Sequence, residues 1–158
     1  TMIARTRAPA RGVAMARPAY LARTGTPAHP REIADHDVLL YANVAPSESW
    51  RFGVDGRSEY VKGRARLRAN SGEMLLAAAE AGLGIAMLPT FIASPAISSG
   101  AVDVVLGEWT RGETGLYAVM PPGRSATARV RALVDFLAAR FGPEPTWDPC
   151  WEATKAAR

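Results

Sequence analysis

The backbone and side-chain groups best suited to bind a ligand lie at residues 70–73, which read Asn-Ser-Gly-Glu. Asn70 is a preferred residue at the N-cap of a helix, and Glu73 can reach back to the Asn70 N–H as in a capping box. A helix that starts here presents the free N–H groups of Ser71 and Gly72 at the positive end of its dipole. Such an end can bind a carboxylate or another anion, and Gly72 has no side chain to block it. The alternative is that Asn70 only caps the helix.

Other catalytic and metal-binding patterns are weak in this sequence. No Gly-x-Ser-x-Gly sequence occurs, so a hydrolase with a nucleophile elbow is unsupported. The Gly-Leu-Gly sequence at 82–84 follows a predicted helix, whereas a dinucleotide-binding loop precedes one. His29 and His36 lack the spacing of metal ligands on a helix, and Cys150 is the only cysteine. We therefore predict no catalytic residue, no metal site and no cofactor.

Two groups of charged residues allow two interpretations each. Asp35 and Asp37 could pair as carboxylates, although the surrounding segment is typical of a solvated helix end. Arg64, Arg66 and Arg68 alternate along a predicted strand, where they form either a solvated face or a row that binds phosphate groups. The solvated interpretation is favoured in both cases.

The apolar pattern around residues 70–73 predicts the elements that position them. Residues 71–81 predict a helix that is buried on most of its circumference, Gly82 predicts a left-handed end, and residues 85–88 predict a strand covered on both faces. Further strands are predicted at residues 2–4, 12–16, 38–41, 50–52, 60–69, 102–106 and 116–120. Further helices are predicted at residues 18–23, 30–35 and 91–98, and from a cap at 125 or 127 to 141. Alternating strands and helices indicate an α/β fold with a largely parallel sheet.

Length and composition bound the class of protein. The chain has 158 residues, of which 48% are hydrophobic and 22% are charged, as expected for one globular domain. The net charge is +4, and the arginine excess precedes Glu32, which favours either a solvated basic surface or an acidic partner. The first is preferred, because no aromatic and basic binding motif accompanies the charge. No apolar run approaches the roughly 18 residues of a membrane span, so we expect a cytoplasmic protein without a membrane partner.

Several segments, taken in order, resemble the effector domain of LysR-type transcriptional regulators. The central ones are Asn-Ser-Gly-Glu at 70–73 and Gly-Leu-Gly-Ile-Ala-Met-Leu-Pro at 82–89. The others lie at residues 17–27, 33–41, 50–52, 116–122 and 130–137. The resemblance covers roughly residues 2–141.

The resemblance implies a periplasmic-binding-protein-like fold of type 2, in which two α/β lobes joined by crossing strands enclose a ligand cleft. The chain then divides into the end of the first lobe with one crossing strand (1–17), the second lobe (18–115), the other crossing strand with a final helix (116–142), and a tail (143–158). The crossing strands would be residues 13–17 and 116–120. The front of the first lobe has no counterpart here. We therefore expect one lobe with a mostly parallel sheet flanked by helices, while the other of the two lobes, the first along the chain, is incomplete.

The resemblance also implies a ligand-sensing regulatory domain. A small organic anion, such as a carboxylate, would bind beside Asn70, Ser71 and Gly72, and the strand near Met15 and Ala16 would form the floor of the cleft. Half a cleft should bind its effector weakly, near the millimolar range. DNA contact would require a winged helix-turn-helix, which has no counterpart in these residues. Two alternatives are a solute-binding or enzyme domain of the same bilobal fold, and a fragment that only dimerises.

The final predicted helix carries the signal for assembly. Val130, Leu133, Val134, Leu137 and Phe141 form an apolar stripe at helical spacing. With an incomplete first lobe this stripe loses its cover, so we predict a homodimer. The tail after Gly142 follows no family pattern and would be disordered or pack on a partner.

Overall fold

Strands and helices alternate along the chain. The computed structural model describes residues 3–43, 48–54, 56–110, 113–120, 127–142 and 147. The strands are β1 (Ile3–Ala16), β2 (Asp37–Tyr41), β3 (Trp50–Val54), β4 (Arg57–Val61), β5 (Arg64–Ala69), β6 (Ile85–Pro89), β7 (Asp103–Val105) and β8 (Glu113–Met120). The helices are α1 (Pro18–Thr24), α2 (Gly72–Glu80), α3 (Thr90–Ser98) and α4 (Ala128–Phe141), with 3-10 turns at Pro30–Asp35 and Gly107–Trp109.

The main sheet has the strand order β5-β2-β6-β1-β7, and β8 pairs with β1. β5 and β6 both run parallel to β2, which lies between them. β1 runs antiparallel to β6, β7 and β8. The strands of this sheet other than β1 therefore run in the same direction, which makes the sheet mixed but largely parallel. With its flanking helices, this sheet confirms the predicted α/β fold.

β1 is one continuous strand of 14 residues, whereas the sequence predicts two short strands at residues 2–4 and 12–16. Its first part pairs with β8, and its last part pairs with β6 and β7. The register with β8 shifts between Thr6 and Ala8, beside Pro9. Pro9 itself stays in the ladder opposite Gly115, so the strand continues through the predicted break between the two segments. Residues 116–120 pair with residues 3–8 of β1, and the division into lobes at residues 17 and 115 stays a prediction.

Two hydrophobic cores lie on the two faces of the sheet. The first contains Leu75 of α2 together with Val13 and Met15 of β1. The second contains Ala14 and Ala16 of the same strand, together with α1 and the β3–β4 hairpin. The alternation follows from the pleat, because successive side chains of a strand point to opposite faces.

The segment from residue 57 to 69 forms two strands, not the single predicted strand. β4 pairs with β3 in a separate hairpin, and β5 joins the main sheet beside β2. The chain passes between them at Gly63, where a Cβ would contact Val38 Cγ1 and lie 2.8 Å from the Ile33 carbonyl oxygen. Only glycine fits this close approach, which separates the two strands.

α2 occupies the predicted position but buries a narrower side than predicted. The helix ends at Glu80, and Gly82 two residues later has a φ of 78°, which confirms the predicted left-handed end. Leu75 and Ala79 are fully buried against the sheet, whereas Met74 is 56% exposed and Ala77 is exposed. The helix packs on the sheet and on α3 along one side only, so its apolar composition overstates its burial.

α4 leaves much of its apolar surface uncovered within the described part of the chain. Thr127 caps it, in agreement with one of the two predicted caps, through Oγ1 and the Val130 N–H at 3.4 Å. Leu133 is 57% exposed and Phe136 is 64% exposed. From the tail, the Trp147 ring lies 5.5 Å from the Phe141 ring at the end of α4 and 6.0 Å from the Phe91 ring of α3. The rest of the tail lies outside the described residues.

Candidate functional site

The carboxyl ends of three parallel strands meet at one edge of the main sheet. β5 ends at Ala69, β2 ends at Tyr41 and β6 ends at Pro89. Ligands of open α/β sheets bind in the crevice beyond such strand ends. Two cavities open at this edge, and they share Tyr41, Met87, Leu88 and Pro89.

The helix-end cavity lies where α2 and α3 begin and has a volume of about 480 Å³. Besides the shared residues it is lined by Asn70, Ser71, Gly72, Glu73, Phe91 and Ile92. The structure therefore brings three of the five predicted site residues, Asn70, Ser71 and Gly72, to one wall of one cavity. Small-molecule sites in proteins have volumes of about 300–1,000 Å³, so this cavity is large enough for a metabolite.

The arginine cavity lies on the other side of the shared residues and has a volume of about 370 Å³. Besides the shared residues it is lined by Gly12, Leu40, Ala42, Glu48, Ser49, Trp50 and Arg68. Sequence reasoning assigned Arg68 to a strand face and did not connect it with a cavity. The connection depends on β5 joining the main sheet beside β2, which the sequence did not show.

α2 is capped by Ser71 and not by Asn70. Ser71 Oγ accepts a hydrogen bond from the Met74 N–H at 3.2 Å, and the Ser71 carbonyl accepts from the Leu75 N–H at 3.2 Å. Asn70 is exposed and lies one residue before the cap. The predicted capping box at Asn70 is therefore wrong by one residue. Serine and asparagine are equally good caps, so their order in the sequence did not decide between them.

Glu73 already places a carboxylate at the positive end of α2. The Ser71 hydroxyl donates to Glu73 Oε2 at 2.9 Å. The pKa of Glu73 is lowered, first by a hydrogen bond from its own backbone N–H and then by the Ser71 hydroxyl. A ligand anion must therefore bind beside this charge or displace it. Sequence reasoning assigned Glu73 to the cap and missed its competition with a ligand.

Gly72 allows close packing at the start of α2. A Cβ on Gly72 would lie 2.5 Å from Ile92 Cδ1 and 3.7 Å from Leu88 Cδ2. The missing side chain therefore lets α3 approach α2 closely. No side chain therefore separates the Gly72 backbone from the cavity, as expected. Ile92 fills the space that a side chain at position 72 would take.

Met15 and Ala16 are placed away from both cavities. Both are fully buried, Met15 in the first core and Ala16 in the second, and neither contributes to a cavity wall. Gly12, three residues earlier on β1, lines the arginine cavity instead. β1 therefore borders the arginine cavity through Gly12 and does not line the helix-end cavity, and the predicted contacts of Met15 and Ala16 stay a prediction.

Arg68 and Glu48 form an ion pair on the wall of the arginine cavity. Arg68 Nε donates to Glu48 Oε1 at 2.8 Å, and Arg68 Nη2 lies 2.8 Å from the same oxygen. The hydrogen bond from Arg68 lowers the pKa of Glu48, so the carboxylate is charged at neutral pH. Both side chains are about half exposed, so solvent screens the pair.

His36 belongs to the core. Its Nδ1 lies 3.2 Å from the Tyr20 hydroxyl, which also accepts a hydrogen bond from the Asp37 N–H at 3.1 Å. Burial lowers the pKa of His36, and the nearby charge of Arg64 lowers it further. The imidazole therefore stays neutral and positions α1 against β2.

The sequence allows Asp35 and Asp37 to pair with each other, but both carboxylate oxygens of Asp37 bind arginines instead. Asp37 Oδ1 accepts from Arg64 Nε at 3.2 Å, and Asp37 Oδ2 accepts from Arg66 Nη1 at 3.1 Å. Two of the three arginines on β5 are thus held by one aspartate. Among the described residues, no group of three or more His, Cys, Asp or Glu side chains could hold a metal ion. In the same residues, no helix is long and apolar enough to cross a membrane.

Residues 3–142 match the family model of the LysR substrate binding domain. The chain belongs to this family. Among its curated relatives, the chain is 32% identical over 132 residues to the probable HTH-type transcriptional regulator LtrA of Klebsiella pneumoniae. It is 31% identical over 129 residues to the HTH-type transcriptional regulator CrgA of Neisseria meningitidis serogroup C. These matches cover 82% and 81% of this chain but 43% of each relative, so the chain spans less than half the length of these relatives.

Solved structures show the same fold. The regulatory domain of CrgA from Neisseria meningitidis superposes with a TM-score of 0.75 at 29% identity, over 89% of this chain and 69% of that domain. The regulatory domain of AphB from Vibrio vulnificus superposes with a TM-score of 0.69 at 24% identity, over 87% of this chain and 69% of that chain. At that identity the second match supports the fold alone. Together they confirm a LysR substrate-binding domain with the periplasmic-binding-protein-like fold that the sequence predicts.

Proposed function

We propose that this LysR substrate-binding domain senses a small organic anion in the helix-end cavity. In the whole regulator, occupation of this cavity would be passed to a DNA-binding region and would change transcription. The family membership supports a sensing role, since the relatives are transcriptional regulators. The cavity supports the choice of site.

The observation that carries the proposal is the position of α2. Its amino end opens into a cavity of about 480 Å³ at the carboxyl ends of β5, β2 and β6. Backbone N–H groups and the helix dipole favour an anion there. Tyr41, Phe91 and Ile92 add apolar and aromatic walls, which suit an organic body more than an inorganic ion.

Asn70, Ser71 and Gly72 are the proposed effector contacts. Asn70 is exposed and can offer its amide, and Gly72 can offer its backbone N–H. Ser71 already caps α2 and donates to Glu73, so its hydroxyl becomes available to an effector only when Glu73 moves away. The contacts of Met15 and Ala16 with an effector stay a prediction. Because both side chains are buried, these residues could affect an effector only by positioning β1.

The proposal is tested by replacing the carboxylate that competes with the ligand. Glu73→Gln keeps the shape of this exposed side chain and removes one negative charge from the amino end of α2. Charges at a helix end contribute about 0.3–1 kcal/mol, so a small carboxylate should bind about two- to fivefold more tightly. Glu80→Gln removes the same charge from the last turn of α2 and should not raise the affinity.

A thermal-shift screen of small carboxylates, followed by calorimetric titration, provides the measurement. Acids that stabilise the wild-type chain should stabilise Glu73→Gln more. If every such acid binds Glu73→Gln and wild type equally, or binds Glu73→Gln more weakly, the helix-end cavity is not the anion site.

We further propose that the domain forms a homodimer through α4. Val130, Leu133 and Phe136 expose apolar surface on this helix within the described residues, and such surface favours a partner. Leu133→Glu should shift the chain toward monomer in light scattering, whereas Arg131→Glu, on the same helix, should not. A wild-type chain that stays monomeric at high concentration would rule out this interface.

We also infer that the domain acts without a cofactor and without catalysis. The proposed role needs only binding, and the Ser71 hydroxyl, which donates to Glu73, already serves as the cap of α2. A regulator that reaches DNA works in the cytoplasm of a bacterial cell, so we propose that location.

A further inference from the structure

The β3–β4 hairpin has an inner face that packs on the domain and an outer face that faces solvent. Among the described residues its two strands pair only with each other. On the inner face Phe52 is fully buried and Val61 nearly so, since both pack in the second core. The alternation of a strand places Arg51 and Tyr60 on the outer face, directly opposite each other in the register. Tyr60 is 65% exposed, so the outer face carries a large aromatic ring that the core does not use.

Positive charge is concentrated on this hairpin and on the strand that follows it. Residues 50–68 contain six arginines and lysines and two acidic residues. Their net charge of +4 equals that of the whole chain, so the rest of the sequence is balanced. The three arginines of β5 are all held in ion pairs, with Asp37 and Glu48 as partners. The cations that are available to a partner therefore lie on the hairpin.

The cations of the hairpin are exposed and lack ion pairs within the described part of the chain. Arg51 lies on the outer face, and Arg57 lies at the tip, where β4 begins. Lys62 follows β4 directly and is exposed as well. Arg68 lowers the pKa of Glu48, and the charge of Lys62 adds to this effect without an ion pair. Three cations thus surround the exposed ring of the hairpin.

The acidic side chain of β4 does not neutralise these cations. Glu59 lies opposite Phe52, on the inner face, and its side chain is 24% exposed. Arg31 Nε donates to Glu59 Oε1 at 2.7 Å, so this carboxylate already has a cation as its partner. Asp55, the other acid of residues 50–68, lies outside the described residues. The outer face therefore combines an exposed ring with positive charge.

This combination fits an unpaired strand of nucleic acid better than a duplex. Proteins that bind single strands without sequence preference stack bases on aromatic rings and neutralise the phosphates with cations beside them. Tyr60 offers the ring, and Arg51 lies across from it at about 5 Å between Cβ atoms. Arg57 and Lys62 are five residues apart, which corresponds to about 17 Å along an extended strand. The bases of a duplex are stacked on one another, so a duplex gains nothing from Tyr60.

We propose that the outer face of the β3–β4 hairpin binds single-stranded nucleic acid without sequence preference. A base stacks on Tyr60, and Arg51, Arg57 and Lys62 contact phosphates on either side of it. None of these four residues lines either cavity, so this surface does not depend on the anion site at α2. It gives the domain a contact with unpaired strands that needs no recognition helix.

The probe is a fluorescein-labelled oligothymidine of about twelve nucleotides, which exceeds the smallest single-strand sites of about four. A duplex of the same length is the comparison ligand. Binding to the full 158-residue chain is measured by fluorescence anisotropy at low salt. The single strand should bind saturably and more tightly than the duplex. Tyr60→Ala should weaken single-strand binding about fivefold or more, whereas Tyr60→Phe keeps the ring and should stay within about twofold of wild type.

The phosphate contacts are tested by the dependence of the affinity on salt. Arg51→Gln should weaken binding and reduce the slope of log affinity against log salt by about 0.7, the value for one phosphate of a single strand. Arg131→Gln is the matched control, because it removes an exposed arginine from α4 that also lacks an ion pair among the described residues. It should leave the slope unchanged and the affinity within about twofold of wild type. Glu73→Gln, which tests the helix-end cavity, should also leave this affinity unchanged, so the two proposals fail separately.

Four results would overturn the proposal. The first is no saturable binding of the oligothymidine up to the millimolar range. The second is equal affinity of Tyr60→Ala and wild type, which would mean that no base stacks on the ring. The third is tighter binding of the duplex than of the single strand. The fourth is an equal loss in Arg51→Gln and Arg131→Gln, which would indicate a general charge effect. Thermal melts verify that each variant is folded.

Discussion

The cap of α2 gives a quantitative test of the site geometry. Ser71→Ala removes the oxygen that accepts the Met74 N–H at 3.2 Å. Loss of a serine N-cap costs about 0.5–2 kcal/mol, typically about 1. For a domain of this size, about 1 kcal/mol lowers the melting temperature by about 2–4 °C. Asn70→Ala, one residue earlier, should change stability by less than about 0.5 kcal/mol, because Asn70 is exposed and does not cap.

The assay is urea unfolding followed by circular dichroism at 25 °C. Ser71→Ala should lower the midpoint without changing the slope, which reports a change in stability alone. Ser71→Asp restores a capping oxygen and should recover most of the loss. The Ser71→Ala variant should also raise the pKa of Glu73 toward its ordinary value, since one of the hydrogen bonds that lower it is gone. If Asn70→Ala destabilises the chain as much as Ser71→Ala, the assignment of the cap to Ser71 is wrong.

Three further predictions follow from the packing. Burial lowers the pKa of His36 below its ordinary 6.5, so the unfolded chain binds more protons below that pH. The free energy of unfolding should then fall as pH drops from about 6.5 toward the folded pKa, by at most about 1.4 kcal/mol per pH unit, and urea unfolding of His36→Gln should lack this contribution. Gly63→Ala should destabilise the chain by about 1–3 kcal/mol, because the added methyl group lies 2.8 Å from a carbonyl oxygen, whereas thermal melts of Gly12→Ala should match wild type, since the nearest atom lies 4.0 Å away. Trp147→Ala should destabilise by about 1–2 kcal/mol, because it removes ring contacts at 5.5 and 6.0 Å, and Trp147→Phe should retain most of that stability in the same melts.

Local patterns predicted the central elements well. The apolar runs and the glycine at 82 placed α2 and β6 close to their observed bounds, because periodicity and end signals are properties of neighbouring residues. Local patterns did not decide whether Asn70 or Ser71 caps α2. Both residues are good caps, so residue type alone does not choose between them.

Features that depend on distant parts of the chain were missed. Pro9 resembles a turn residue, but β8 pairs with β1 across more than one hundred residues and holds it extended through a bulge. The alternation of residues 60–69 resembles one strand, but Gly63 lets the chain leave the hairpin and join β2. The arginine cavity depends on this pairing, so neither its lining nor the contact between Arg68 and Glu48 could be predicted from spacing.

β1 borders the arginine cavity through Gly12 and not through the two residues that the sequence suggested. Met15 and Ala16 were expected at the floor, yet the pleat sends their side chains into the two cores. Gly12 reaches the cavity because it lies opposite Pro89, at the carboxyl end of β6. Register between strands fixes this position, and register is not visible in a single sequence.

The most direct test of the central claim is an NMR titration of the 15N-labelled chain with a panel of small carboxylates. If the helix-end cavity senses organic anions, the backbone amides of Gly72 and Glu73 should shift in a saturable way with at least one acid, with a dissociation constant near the millimolar range. The amide of Gly100, beyond the far end of α3, should stay unchanged. If no acid moves the amides of Gly72 and Glu73, or if Gly100 shifts as much as they do, the chain does not sense an anion at the amino end of α2.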